Sequence, residues 1–132
     1  MKKLDNLEKS FKTLRQADFR LAKYDDIQAA GIFWQFGITF ELSWKCLQEV
    51  LRLHGVVAAD RGSPREILQL AFKHGFILNE SLWLAMLRTR NKLNHIYDAS
   101  AAELHLMIIH DDFLDAFENL IQTLKDKIQS LS

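Results

Sequence analysis

The sequence predicts an all-α protein, folded as an up-and-down bundle of four main helices with one short extra helix. Five glycines and one proline in 132 residues leave few positions that would interrupt a helix. Apolar residues recur at three- and four-residue steps, and no segment shows the alternation expected of a strand. The length and the 48% hydrophobic content fit a single domain with its own core, residues 1–132.

The first two predicted helices occupy most of residues 4–54. The first extends to about Tyr24. Asp25 and Asp26 supply an N-cap and early negative charge for the second, which runs to His54 before Gly55 and would span roughly 43 Å. The apolar stripe of the first helix is Leu4, Leu7, Phe11, Leu14, Ala17 and Leu21.

The third predicted helix is the short one. Ser63 is its expected N-cap, Pro64 lies in its first turn, and Glu66 follows the cap by three residues, which is the capping-box spacing. The sequence His74-Gly75 marks its end.

Two longer helices complete the predicted bundle. Asn79 is the expected N-cap of the fourth, and Ser100 that of the last, which runs from Ala101 to about Ser130. The last helix carries a long apolar stripe, which predicts that it packs along the full bundle.

The second helix is apolar on nearly every side between Ala29 and Phe40, where it reads AAGIFWQFGITF. A helix with one solvent-facing side keeps a polar face there, so this segment is expected to be covered on two sides. A homodimer is the preferred explanation, because two-fold dimers are the commonest oligomers. The alternative is a central helix wrapped by the other four.

Composition excludes several classes of function. Seventeen basic residues balance seventeen acidic ones, so any RNA contact would need a local patch of charge. Cys46 is the single cysteine and is expected to be a buried thiol rather than a nucleophile. The N-terminus lacks the apolar core of a signal peptide, and no run reaches membrane-spanning length. A cytoplasmic protein without membrane contact is expected.

The segment RTRNKLNHIYD, residues 88–98, ends the fourth helix with an unusual density of polar groups. Arg90 falls within an apolar row, four residues after Met86 and three before Leu93. Its guanidinium cannot lose its proton and therefore needs an anion or several acceptors. It could bind a ligand, pair with the isolated Glu41, or extend along the bundle edge to solvent.

His95 lies five residues beyond Arg90, about 140° further round an ideal helix. The two side chains can converge if the helix ends near Asn94 and the chain then becomes extended, which would aim His95 and Tyr97 the same way. A histidine can move a proton near neutral pH, and an arginine can hold a phosphate. Together they would suffice for RNA cleavage without a metal. No metal site or cofactor is expected, because the remaining histidines lack tetrahedral ligand spacing.

These residues resemble a known family. Arg90-Asn91, three residues, then His95-Ile96-Tyr97 resembles the R-x4-H signature of the HEPN superfamily with its H-x-Y extension. Further stretches resemble the nucleotidyltransferase substrate-binding protein family within that superfamily: Phe40 to Lys45, Ser63 to Glu66 followed by Ala71-Phe72 and Gly75-Phe76-Ile77, and Trp83-Leu84.

The resemblance implies a four-helix bundle, usually homodimeric, with Arg90 and His95 in a cleft near the dimer interface. It implies metal-independent RNA cleavage in the wider superfamily, with Asn91 as a polar helper. It also implies a minimal nucleotidyltransferase as partner, often encoded nearby, which can add AMP to the tyrosine of H-x-Y, here Tyr97. The substrate-binding subgroup is instead viewed as presenting a nucleotide to that enzyme.

Three further positions, one in the motif and two on the second predicted helix, bear on these expectations. Asn94 stands where a small hydroxylated residue is expected, and it can still donate and accept hydrogen bonds at a ligand. Glu41 and Lys45 match the family and lie one turn apart on one helix face. They would either line a ligand pocket or form an ion pair that positions Arg90.

Three functional hypotheses follow. The first is a module of a toxin–antitoxin-like pair that binds a minimal nucleotidyltransferase and a nucleotide or other phosphate-containing ligand, with Tyr97 as a candidate AMPylation site. The second is a ribonuclease that uses Arg90 and His95. The third makes the motif a helix end satisfied by its own side chains.

Overall fold

The computed structural model describes residues 1–95 and 99–131. For Asn94 and Ala99 it describes the backbone only. These ranges contain no strand, which confirms the all-α prediction. Two 3-10 turns occur, at Val57–Asp60 and Leu93–His95, and the π-helical turn Ile109–Phe113 joins the last two helices. The helices are α1 (Lys2–Arg15), α2 (Phe19–Ala22), α3 (Asp26–Leu53), α4 (Pro64–Lys73), α5 (Glu80–Lys92), α6 (Ala99–Ile108) and α7 (Leu114–Gln129).

The predicted helix starts of α3, α4 and α5 are confirmed by their caps. The Asp25 carboxylate accepts hydrogen bonds from the backbone N–H groups of Ile27 and Gln28, at 3.0 and 3.2 Å. Ser63 and Glu66 form the full capping box. The side chain of Asn79 accepts from the backbone N–H of Leu82 at 3.0 Å. Each cap satisfies a backbone donor that the helix itself leaves unpaired.

Two predicted helix bounds were wrong. The first helix does not continue to Tyr24 but ends at Arg15, because the Asp18 carboxylate accepts from the backbone N–H of Leu21 at 2.9 Å and starts the separate turn α2. The predicted last helix is two helices, α6 and α7, joined by the π-helical turn, and α6 begins at Ala99, so Ser100 lies in its first turn rather than at its cap. Alanine is the best helix former, which favours the earlier start.

Helix α3 is the centre of the bundle and packs against α1, α2, α4, α5, α6 and α7. The ring of Phe36 is fully buried and lies 5.6 Å from the ring of Phe113 and 5.9 Å from that of Phe117. Helix α3 is therefore central to the described bundle, but one side of the segment 29–40 stays exposed at Ala30, Gly31 and Trp34, and the homodimer stays a prediction. Three large apolar side chains of α3 remain outside this core: Ile27 is 83% exposed, Trp34 is 72% exposed and Leu53, at the end of the helix, is 53% exposed.

A small buried polar cluster joins α1 to α3. The hydroxyls of Ser10 and Thr39 are 2.7 Å apart, and the side-chain amide of Gln35 donates to the Ser10 hydroxyl at 2.8 Å. Because the buried hydroxyls of Ser10 and Thr39 both have partners, the cluster fixes the position of α1 along α3 without leaving either hydroxyl unpaired. Across the described ranges, no helix is both long enough and apolar enough to cross a membrane.

Candidate functional site

Arg90 lies in the last turn of α5 and is held by α3. Its Nη1 is 3.4 Å from Oε2 of Glu41, and its guanidinium carbon lies 5.7 Å from the centre of the Phe40 ring. The side chain is 32% exposed. Its Nε is buried and has no hydrogen-bond partner within the described part of the chain. The ion pair and the ring fix the guanidinium, while part of it remains open to solvent.

The Glu41 carboxylate connects three side chains. Besides Arg90, it contacts Nζ of Lys45 at 3.4 Å and accepts a hydrogen bond from Nε1 of Trp44 at 3.0 Å. The predicted alternative of an Arg90–Glu41 pair is therefore what the structure shows. Lys45 and Arg90 each contact this carboxylate, which links the two cations.

A groove of about 470 Å³ lies between α3 and α5, next to this ion pair. Its wall is mostly apolar, and Glu41 and Arg90 supply its charged groups. The lining residues are Ala30, Phe33, Trp34, Gly37, Ile38, Glu41, Arg90 and Leu93. An apolar groove with a guanidinium at its edge suits a ligand that carries both a ring and an anionic group.

His95 ends the 3-10 turn that follows α5 and is exposed, as is Asn91. His95 is not among the residues that line the groove, and no contact between Arg90 and His95 is found in the described structure. The α-helix ends at Lys92, close to the end expected near Asn94, and the 3-10 turn keeps Leu93–His95 helical, whereas the residues expected to be extended beyond His95 lie outside the described residues. Tyr97 and the side chain of Asn94 lie outside the described residues.

His105, on α6, is a feature that sequence reasoning passed over. It is partly buried, and its Nδ1 has no hydrogen-bond partner within the described ranges. Burial lowers the pKa of His105, and the charge of Lys92, the last residue of α5, lowers it further. The charge of Lys92, at the end of α5, therefore acts on the imidazole of His105. No spacing in the sequence indicated this, since the relation is purely tertiary.

The structure gives Cys46 no catalytic environment. The thiol is fully buried, and burial together with the charge of Glu49 raises its pKa to about 12. A protonated buried thiol is not a nucleophile at neutral pH. Among the residues that the structure describes, no group of three or more histidine, cysteine or acidic side chains is arranged to hold a metal ion.

Comparison with known proteins identifies the family. The model of the family "Nucleotidyltransferase substrate binding protein like" matches residues 2–126. A relative from Haemophilus influenzae, named probable ribonuclease HepT, is 30% identical over 114 residues, which cover 85% of this chain and 77% of the relative. A solved structure from the same species, reported to reveal the fold of a substrate binding domain of a nucleotidyltransferase, matches with a TM-score of 0.80. That match has 28% identity and covers 92% of this chain and 98% of the other. The chain therefore belongs to the nucleotidyltransferase substrate-binding protein family of the HEPN superfamily.

Proposed function

We propose that this protein is the HEPN member of a toxin–antitoxin-like pair. It binds a minimal nucleotidyltransferase, and it binds a phosphate-containing ligand at the groove between α3 and α5. The observation that carries the proposal is the fixed position of Arg90, one-third exposed at the groove and held between Glu41 and Phe40. A guanidinium that is already oriented loses little conformational entropy when it binds a phosphate.

A homodimer is part of the proposal. Along α3, Ile27, Gly31, Trp34 and Ile38 recur at three- and four-residue steps on a side that the core does not use. Beyond their own stretch of α3, Gly31 and Gly37 have no described atoms within 4 Å of where a Cβ would stand, so a neighbouring backbone could approach closely. A second copy seated on this stripe would turn the groove into a cleft, because Trp34 and Ile38 belong to both.

Modification of Tyr97 by the partner enzyme is the proposed regulatory step. The phenol oxygen would attack the α-phosphorus of ATP, forming the bond to AMP while the bond to pyrophosphate breaks and the phenol proton passes to a base. The added phosphate would be carried two residues along the chain from His95 and would add negative charge to this motif.

Mass spectrometry with the cognate nucleotidyltransferase, ATP and Mg²⁺ tests this step. The chain has two tyrosines, so Tyr24, which is 86% exposed, provides a matched control. We expect a gain of AMP units in the wild type and in Tyr24→Phe, and none in Tyr97→Phe. Unchanged mass of peptides that contain Tyr97 would remove the modification from the proposal.

The second candidate function is metal-independent RNA cleavage. Two observations favour it: the relative named probable ribonuclease HepT, and the exposed His95 with no described hydrogen-bond partner. His95 would take the proton of a 2′-hydroxyl, whose oxygen attacks the adjacent phosphorus. The bond to the 5′-oxygen then breaks, leaving a 2′,3′-cyclic phosphate. Arg90 would stabilise the charge on the phosphorane.

Cleavage assays in EDTA with purified protein test this candidate. We expect His95→Ala and Arg90→Ala to reduce the rate by at least 100-fold. The control His74→Ala, an exposed histidine at the end of α4, should leave the rate unchanged. Cleavage that survives His95→Ala, or wild-type protein that cuts no RNA, would remove the ribonuclease candidate and leave the nucleotidyltransferase proposal standing.

A further inference from the structure

A local excess of positive charge lies at the N-terminal end of this neutral chain. Residues 9–23 contain five basic residues and one acidic residue, Asp18, which is a net charge of +4. All five basic side chains are exposed. We call them the α1–α2 basic strip: Lys9, Lys12, Arg15, Arg20 and Lys23.

Two hollows follow the strip and share Arg15. The first, of about 780 Å³, lies between α2 and α6 and is lined by Arg15, Arg20 and Lys23 together with Phe19 and His110. The second, of about 550 Å³, lies between α1 and α7. Its basic lining residues are Lys9, Lys12, Arg15 and Lys125. The strip therefore follows a path along two open hollows that share Arg15.

The acidic residues along this path are already engaged. Glu8 pairs with Lys125 at 3.0 Å, Glu118 with Arg15 at 2.8 Å, and Asp111 with His110 at 2.8 Å. The Asp18 carboxylate caps α2.

Four cations of the strip remain without an acidic partner in the described structure: Lys9, Lys12, Arg20 and Lys23. Four unpaired cations along one path form a site for several successive negative charges.

Phe19 adds an aromatic group to the first hollow. Its ring is half-buried and meets the His110 ring edge-on, with the ring centres 5.1 Å apart. His110 belongs to the π-helical turn between α6 and α7, a local irregularity of the kind often found at functional sites. A positively charged groove with an aromatic side chain is the arrangement that binds single-stranded nucleic acid, through phosphates and a stacked base.

We propose that the α1–α2 basic strip binds the phosphate backbone of single-stranded RNA, with one base against Phe19. An acidic protein surface is the competing ligand, but the concave path and its aromatic ring favour a nucleotide chain. The two hollows share no lining residue with the groove at Arg90, so the strip is a separate surface. The proposal does not depend on cleavage by Arg90 and His95.

Fluorescence anisotropy with a 2′-O-methyl oligouridine of about twelve nucleotides tests the proposal. This probe keeps the phosphates but cannot be cleaved through its 2′-oxygen, so loss of the ribonuclease candidate would not affect the result. The test variant is Lys12→Glu, Arg20→Glu, Lys23→Glu. The matched control is Arg61→Glu, Arg65→Glu, Lys73→Glu, the same charge change on exposed residues beside and within α4. Circular dichroism verifies that both variants fold.

We expect the strip variant to bind at least ten-fold more weakly and the control to stay within about two-fold of the wild type. With about four phosphate contacts, affinity should fall roughly fifty-fold between 50 and 200 mM salt. Equal losses in both variants, or no binding at 50 mM salt, would overturn the proposal. A strip variant that keeps its RNA affinity but no longer binds the nucleotidyltransferase would overturn it in favour of the acidic protein surface.

Discussion

The Glu41 carboxylate lies 3.4 Å from the Arg90 guanidinium and joins α3 to α5 at the edge of the groove. Such a pair has two opposite effects on an anionic ligand. It fixes the position of the guanidinium, and it neutralises part of the charge that a phosphate would meet. Because both side chains are about one-third exposed, the pair contributes little to stability, and its main effect is on the ligand.

Glu41→Gln separates these two effects. The amide can still accept the hydrogen bond from Trp44 Nε1 but carries no charge, so we expect AMP to bind about five-fold more tightly, close to the roughly 1 kcal/mol that a nearby surface charge contributes. The free energy of unfolding should change by less than about 1 kcal/mol. Calorimetric titration measures the affinity.

Glu49→Gln is the control for this experiment, because Glu49 also lies on α3 and pairs with Lys3 at 3.0 Å, away from the groove. It should leave the AMP affinity unchanged. Weaker binding by Glu41→Gln would mean that Glu41 matters for orientation and not for charge.

The exposed stripe of α3 predicts the oligomeric state. We expect Ile27→Ser together with Trp34→Ser to convert a dimer to a monomer at micromolar concentration, since two large side chains would lose their burial, each worth about 2 kcal/mol. Light scattering after size exclusion gives the mass. Val57→Ser with Leu78→Ser alters two equally exposed apolar side chains elsewhere and should leave the dimer intact. A wild-type protein that is monomeric at high concentration would contradict the dimer.

Sequence patterns located the features that depend on neighbouring residues. Asp25, Ser63 and Asn79 cap the helices they were expected to cap, because a cap and the donors it satisfies lie within a few residues. The wrongly predicted end of the first helix also has a local cause. The apolar stripe continues past Arg15, but the Asp18 carboxylate accepts a hydrogen bond from the backbone N–H of Leu21 and starts a separate turn.

Contacts between residues that are far apart in the sequence were harder to predict. Glu41 and Arg90 could be paired in advance because each is a lone charge in an apolar row, so each needed a partner. The net charge of the whole chain does not reveal the basic strip, because acidic residues elsewhere cancel its charge. The position of His105 near Lys92 depends on how α6 packs beside α5, which periodicity does not encode.

His105 should make stability depend on pH. Its pKa is lowered in the folded state, first by burial and then by Lys92, so at mildly acidic pH the unfolded chain binds more protons than the folded one. The free energy of unfolding should therefore fall as the pH drops from about 7 through the ordinary value of 6.5. Urea titrations at several pH values measure it. His105→Gln should flatten this dependence, whereas His74→Gln should not; an unchanged slope in His105→Gln would contradict the effect.

Cys46 should have the opposite pH dependence, at alkaline pH. Burial raises the pKa of its thiol to about 12, while the unfolded chain ionises near 9.0, so between these values the folded state holds a proton that the unfolded state has lost. Stability therefore falls as the pH rises, by about 1.4 kcal/mol from this group at pH 10. Guanidinium titrations at pH 8 and pH 10 should show a larger loss of unfolding free energy for the wild type than for Cys46→Ala, in which the other groups that titrate at alkaline pH remain.

The native thiol of Cys46 should also resist a disulfide reagent at pH 8 that labels the unfolded chain at once. Rapid labelling of the folded protein would show that α3 opens around Cys46 on the timescale of the reaction.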